Sequence, residues 1–82
     1  MQLSVLTPDV EYYNGEITSI KVPGAAGEFQ VLKNHAPIVS ALVDGKVEVK
    51  TAEGKSVQFM IRGGFIEVLN NRIALLAQGI TE

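Results

Sequence analysis

Cysteine is absent from this chain, which excludes disulfide bonds, thiolate metal sites and cysteine nucleophiles together. Small secreted domains often depend on disulfide bonds, so the composition favours an intracellular setting. Apolar runs are short, and none approaches the roughly 20 residues that a bilayer-spanning helix needs. The N-terminal segment MQLSVLTPD lacks the basic region and long apolar stretch of a signal peptide. We therefore expect a soluble protein without direct membrane insertion.

Positive charge is also scarce, because seven lysines and arginines stand against nine acidic residues and give a net charge of −2. The basic residues are scattered along the chain, whereas nucleic-acid-binding proteins gather them on one face. Only three phenylalanines and two tyrosines could stack on bases. The composition therefore argues against a nucleic-acid partner.

Histidine occurs once, as His35 in the segment VLKNHAPIV (31–39). Catalytic use of this histidine needs a neighbouring nucleophile and an orienting carboxylate, and no serine lies in a Gly-x-Ser-x-Gly turn. A zinc site needs three or four ligands, and the acidic residues are dispersed over strands and turns. Glu67, inside the apolar run GFIEVL, is best explained by a structural role beside a lysine or arginine, such as Arg62 or Arg72. We therefore predict no catalytic residue, no metal site and no cofactor.

Apolar residues recur with a period of two, which is typical of half-buried antiparallel strands. Alternation is clean in Lys46–Lys50 and continues at Val57, Phe59 and Ile61, and the intervening Thr51–Gly54 predicts a hairpin turn. Further turns are predicted at Pro8-Asp9, Asn14-Gly15, Pro23-Gly24, Asp44-Gly45 and Asn70-Asn71. With eight to ten short strands and no helical stripe, residues 1–82 are predicted to form a single all-β domain, an antiparallel sandwich or barrel.

Two strands break this alternation. Phe65, Ile66, Val68 and Leu69 form one, and the run IALLA (73–77) forms the other. Either a loop covers the outer faces of these strands, or they form an exposed apolar patch that binds a partner. Gly63-Gly64, just before the first of them, indicates a bulge or a close backbone approach.

Three segments occur in an order that identifies a family: Gly27-Glu28-Phe29, His35-Ala36-Pro37 and GGFIEV (63–68). Together they closely resemble the N-terminal domain of the epsilon subunit of rotary ATP synthases, which is called delta in mitochondria. The resemblance implies a flattened antiparallel β-sandwich of two roughly five-stranded sheets. It also implies a non-catalytic subunit of the central stalk that binds the gamma subunit and the c-subunit rotor ring and couples proton-driven rotation to ATP synthesis. Its expected place is the cytoplasmic face of the bacterial inner membrane, as a peripheral component.

The resemblance also implies site residues: Glu28 and Phe29 would contact the rotor ring, and His35, Ala36 and Pro37 would contact gamma. Family members usually continue into a C-terminal helical hairpin that can inhibit ATP hydrolysis and in some bacteria binds ATP. The sequence stops where that hairpin would begin, so those two properties are not carried over. An excised domain and a naturally short subunit are both open.

The alternative is an unrelated small β-barrel or sandwich that serves as an adaptor or carrier. A carrier would present a modified lysine at a hairpin tip. Lys55 lies beside such a turn, but neither a Met-Lys-Met nor an Asp-Lys-Ala pattern surrounds it.

Overall fold

Nine β-strands and no helix make up the computed structural model, which describes residues 1–82. The strands are β1 Gln2–Leu6, β2 Glu11–Gly24, β3 Gly27–Leu32, β4 Ile38–Leu42, β5 Gly45–Thr51, β6 Ser56–Arg62, β7 Gly64–Leu69, β8 Arg72–Leu76 and β9 Gly79–Thr81. No helix long and apolar enough to cross a membrane is present. The strand number and the all-β class agree with the sequence prediction.

Strand β2 is the longest and is shared between two groups of strands. Its first part, Glu11–Glu16, pairs with β1, and β1 is followed across the sheet by β8, β7 and β4; we call this group the β7 layer. Its second part, Ile17–Gly24, lies between β3 and β5, and β6 and β9 follow; we call this group the β5 layer. Each layer has five strands when β2 is counted in both, although hydrogen bonds join all nine strands into one continuous sheet.

The pairing is antiparallel, as predicted, except at one place. Strands β1 and β8 run parallel, from Gln2 opposite Arg72 to Leu6 opposite Leu76. The reason is topological: β1 is inserted between β8 and the first part of β2, and it is antiparallel to β2. All other pairings are antiparallel.

Inward-facing side chains from both layers form one apolar core of 16 buried residues. In the β7 layer the alternation places Leu3, Val5, Ile66, Val68, Ile73 and Leu75 inside. In the β5 layer it places Ile20, Val22, Val31, Val47, Val49, Phe59 and Ile61 inside. Burial of these side chains contributes the main favourable free energy of folding.

Two predicted turns are wrong. Asn14-Gly15 is not a hairpin, because both residues pair with β1, opposite Ser4 and Leu3, and the chain continues straight through them. Pro23-Gly24 still belongs to β2, and the turn lies two residues later, at Ala25-Ala26. Gly24 is needed for a contact, since a Cβ there would lie 2.7 Å from the Phe29 ring and 2.6 Å from the Gly27 carbonyl oxygen.

Other predicted turns are confirmed. Gly54 closes the β5–β6 hairpin with a φ of 87°, and Asn70 and Asn71 close the β7–β8 hairpin with φ of 51° and 60°. The predicted close approach at Gly64 is also confirmed: its φ is 131°, and a Cβ there would lie 1.9 Å from the Leu76 carbonyl oxygen. No L side chain fits that position without movement of β8.

Candidate docking surfaces

The outer face of the β7 layer carries an apolar row that crosses four strands. Leu6 lies opposite Leu76, Leu76 opposite Phe65, and Phe65 opposite Ala41. Phe65 is 56% exposed and Leu76 is 47% exposed. No loop covers this row, so the interpretation of a covering loop is wrong and the row is exposed.

A shallow groove continues this apolar surface towards the β3–β4 connection. Its volume is about 260 Å³, and its lining residues are Pro37, Ile38, Val39, Glu67, Val68 and Leu69. Val39 and Leu69 are exposed, and they stand on the walls formed by β4 and β7. We call the groove and the apolar row together the apolar face.

Glu67 is the charged group on this face. It lies opposite Val39 on β4 and Ala74 on β8, and its side chain is exposed. Arg72, one of the expected neighbours, lies diagonally across from Glu67, since it stands opposite Leu69, two residues further along β7. The two charges form no ion pair, and the ion pairs of the chain involve Glu16 and Glu48 instead.

The segment His35-Ala36-Pro37 forms the end of the β3–β4 connection and borders the groove. The His35 backbone N–H donates to the Leu32 carbonyl oxygen at 3.1 Å, and His35 Nδ1 lies 2.7 Å from the Ala36 carbonyl oxygen. Ala36 and Pro37 are exposed, and His35 is half-buried. The histidine ring is thus held against its own loop, and its side-chain contact is with backbone rather than with a carboxylate or nucleophile.

Glu28 and Phe29 lie at the other end of β3, next to the β2–β3 turn. Glu28 is exposed, whereas Phe29 is half-buried, packs against the core and covers Gly24. Sequence reasoning grouped the two residues as one contact, but the strand alternation turns their side chains to opposite faces. Glu28 presents its carboxylate at the hairpin tip, and Phe29 holds the hairpin in shape.

The outer face of the β5 layer is polar. Glu48 lies at its centre, 3.7 Å from the Lys21 ammonium and 3.3 Å from the Lys46 ammonium. The Gln58 side-chain amide donates to the same carboxylate at 3.2 Å. Such surface pairs contribute little to stability but keep the face hydrated.

The arrangement offers little for bond-making chemistry. No three histidine or acidic side chains come close enough together to hold a metal ion. One pKa is perturbed: burial raises the pKa of the Tyr12 phenol above its ordinary value of 10.0, and the hydrogen bond that the phenol donates to Glu82 adds to this effect. Tyr12 packs against Phe59 with ring centroids 5.0 Å apart.

A two-layered β domain with an exposed apolar face beside a structured loop has the features of a protein-binding module. The family model described as "ATP synthase, Delta/Epsilon chain, beta-sandwich domain" matches residues 1–82. The chain belongs to this family. The alternative of an unrelated β module is therefore wrong.

Curated relatives agree with this assignment. The chain is 39% identical over 80 residues to an ATP synthase epsilon chain of Chlorobium limicola, and the match covers 98% of this chain and 91% of the relative. It is 42% identical over 79 residues to the epsilon chain of Chlorobaculum tepidum, which is covered to 90%. The chloroplastic epsilon chain of Cyanidioschyzon merolae is 39% identical and is covered to 62%.

Solved structures show the same fold. A chain of the Euglena gracilis mitochondrial ATP synthase, from an assembly of OSCP, F1 and c-ring, superposes with a TM-score of 0.87 at 25% identity. The match covers 96% of this chain and 51% of that one. A chain of the Tetrahymena thermophila mitochondrial ATP synthase, from its central stalk and c-ring, superposes with a TM-score of 0.84 at 17% identity and covers 66% of that chain.

Proposed function

We propose that this protein is a non-catalytic subunit of the central stalk of a proton-translocating ATP synthase. It links the gamma subunit to the c-subunit rotor ring, so that gamma and the ring turn together and rotation is coupled to ATP synthesis. The location that follows is peripheral, at the cytoplasmic face of the bacterial inner membrane. The family membership and the Euglena gracilis neighbour, which comes from an assembly of OSCP, F1 and c-ring, support this proposal.

The observation that carries the proposal is the apolar face. Exposed apolar area of this extent, on a chain whose opposite face is charged, is typical of a surface that another protein covers. Pro37 lines the groove of this face, so His35, Ala36 and Pro37 form one edge of it. We assign this edge and the apolar row to gamma.

The contact with the rotor ring is assigned to the β2–β3 hairpin. Glu28 is exposed at its tip, and the hairpin is stiffened from inside by the packing of Phe29 on Gly24. Glu28 and the His35–Pro37 edge lie at opposite ends of β3, which allows one small domain to touch two partners at once. A joint under torque needs such rigid contacts more than reactive groups.

Binding measurements with the separate partners test the proposal. We expect His35→Ala to weaken binding to purified gamma by about 3- to 10-fold, as the loss of one half-buried interface side chain does. Glu28→Lys should leave gamma binding unchanged and should weaken retention of the gamma-bound protein on the rotor ring. Each variant therefore serves as the control for the other.

Deletion of the gene gives the second test. Membranes that lack the protein should lose ATP synthesis driven by the proton gradient, while soluble F1 retains hydrolysis. Wild-type protein that binds neither gamma nor the ring, together with unchanged ATP synthesis in the deletion strain, would contradict the proposal.

A further inference from the structure

Two asparagine side chains connect turns that are far apart in the sequence. The Asn34 backbone N–H donates to Asn71 Oδ1 at 2.8 Å, and Asn71 Nδ2 donates to Asn34 Oδ1 at 3.1 Å. Asn34 belongs to the β3–β4 connection, and Asn71 belongs to the β7–β8 turn. The contact is reciprocal, because each residue both donates and accepts.

This contact lies where backbone pairing between β4 and β7 ends. The ladder begins at Ile38 opposite Val68, and the preceding residue, Pro37, has no N–H to extend it. Beyond Pro37, the Asn34–Asn71 contact is what holds the connection to the β7–β8 turn. The groove of the apolar face has one wall at Pro37–Val39 and the other at Glu67–Leu69, so the contact joins the segments just outside its two walls.

Both asparagines also have backbone conformations that few other residues tolerate. The φ of Asn34 is 67° and the φ of Asn71 is 60°, in the left-handed region where asparagine and glycine are favoured. In addition, the Asn71 carbonyl oxygen accepts a hydrogen bond from the Gln2 backbone N–H at 3.0 Å, which ties the same turn to the start of β1. Asn71 is thus fixed on the β7 layer, and Asn34 is fixed to Asn71.

We propose that Asn34 and Asn71 form a positioning bridge that holds the His35–Pro37 segment against the β7–β8 turn and fixes the Pro37 end of the groove. The bridge binds no partner itself. It acts through Pro37, which it keeps in the geometry that docks an apolar side chain of the partner. The positioning part of this inference rests on the proposed function, whereas the bridge itself is tested without any partner.

Glycine substitutions remove the side-chain hydrogen bonds without disturbing the backbone, because glycine lacks the side-chain amide and accepts positive φ. Asn71→Gly is the test variant, and Asn70→Gly is its matched control, since Asn70 has a φ of 51° in the same turn and its side chain makes no hydrogen bond. We expect Asn71→Gly to speed hydrogen exchange of the Asn34 amide about 5-fold or more, as expected for loss of one hydrogen bond. Asn70→Gly should leave that exchange unchanged.

Gamma binding gives the second measurement. We expect Asn71→Gly to weaken binding of gamma about 5-fold relative to Asn70→Gly, because only Asn71→Gly removes the two hydrogen bonds of the bridge.

Three outcomes can be told apart. Equal Asn34 exchange in Asn71→Gly and Asn70→Gly overturns the bridge. Faster exchange with equal gamma affinity overturns the positioning role. If the wild-type protein itself fails to bind gamma, the proposed function fails, and the exchange at Asn34 alone decides for or against the bridge.

Discussion

The two outer faces of this domain are built on similar strands but present different chemistry. The β7 layer exposes four large apolar side chains on strands: Val39, Phe65, Leu69 and Leu76. The strands of the β5 layer expose two, Leu32 and Met60, around a carboxylate that binds two lysines and a glutamine. Inward positions are apolar in both layers, so the fold requires only those. The outward positions are free to differ, and the proposed docking function depends on them.

A glycine substitution in the β7 layer gives the largest expected change in stability. Gly64→Ala should lower the free energy of unfolding by about 3 kcal/mol or more, because the new Cβ meets the Leu76 backbone and the φ is strained. Chemical denaturation monitored by circular dichroism measures this change.

Gly54→Ala is the control in the β5 layer. Its φ of 87° is also positive, but no atom lies within 4 Å of the added Cβ, so only the backbone strain of about 1–2 kcal/mol applies. Equal losses of unfolding free energy in Gly64→Ala and Gly54→Ala would show that β7 and β8 are not in close contact at Gly64.

To test which outer face binds gamma, one apolar side chain on each face is replaced by alanine. Phe65→Ala should weaken gamma binding about 10-fold or more, since a central exposed aromatic side chain is the kind of residue that dominates an interface. Met60 is 45% exposed on the β5 layer, outside the proposed interface. Met60→Ala should therefore change the affinity for gamma less than 2-fold. Calorimetry with purified gamma measures both, and the reverse ranking would place the partner on the β5 layer.

The sequence predicted the strands well because period-two alternation reports which side of a strand is buried. Lys46–Lys50 and Ser56–Arg62 were predicted as strands for this reason. The broken alternation at Phe65 to Leu69 left a covering loop and an exposed apolar surface open, and the structure has the exposed surface. Turn residues were less reliable. Asn14-Gly15 has strong hairpin propensity, but pairing with β1 along its whole length overrides that propensity.

Long-range contacts lay outside what the sequence could predict. The parallel β1–β8 pair and the reciprocal contact of Asn34 with Asn71 join residues that are distant in the chain, and no local pattern reports them. Asn70-Asn71 was predicted as a turn, but Asn34 was not singled out as its contact. Phe29 shows the same limit, since a short motif grouped it with Glu28 although the strand turns the two side chains apart.

Substitutions on the charged outer face of the β5 layer should change stability only a little. Glu48→Gln removes the partner of Lys21 and Lys46, and we expect a loss of less than about 1 kcal/mol that shrinks further in high salt. Gamma affinity should not change. Denaturation at low and high ionic strength measures the first expectation, and a salt-independent loss would mean that Glu48 acts through packing rather than through charge.

The smallest expected change in stability comes from Tyr12, which packs against Phe59 of the other layer. At neutral pH, Tyr12→Phe should lower the free energy of unfolding by about 0.5–1 kcal/mol, because it removes the hydrogen bond to Glu82 and keeps the ring contact with Phe59. The folded state raises the pKa of the phenol above 10.0, so the contribution of the phenol is complete below pH 10 and is lost as the pH rises through the raised value. Wild type should therefore lose its advantage over Tyr12→Phe above pH 10. A difference between the two proteins that grows with alkaline pH would contradict the assigned direction, and denaturation curves from pH 7 upward make the comparison.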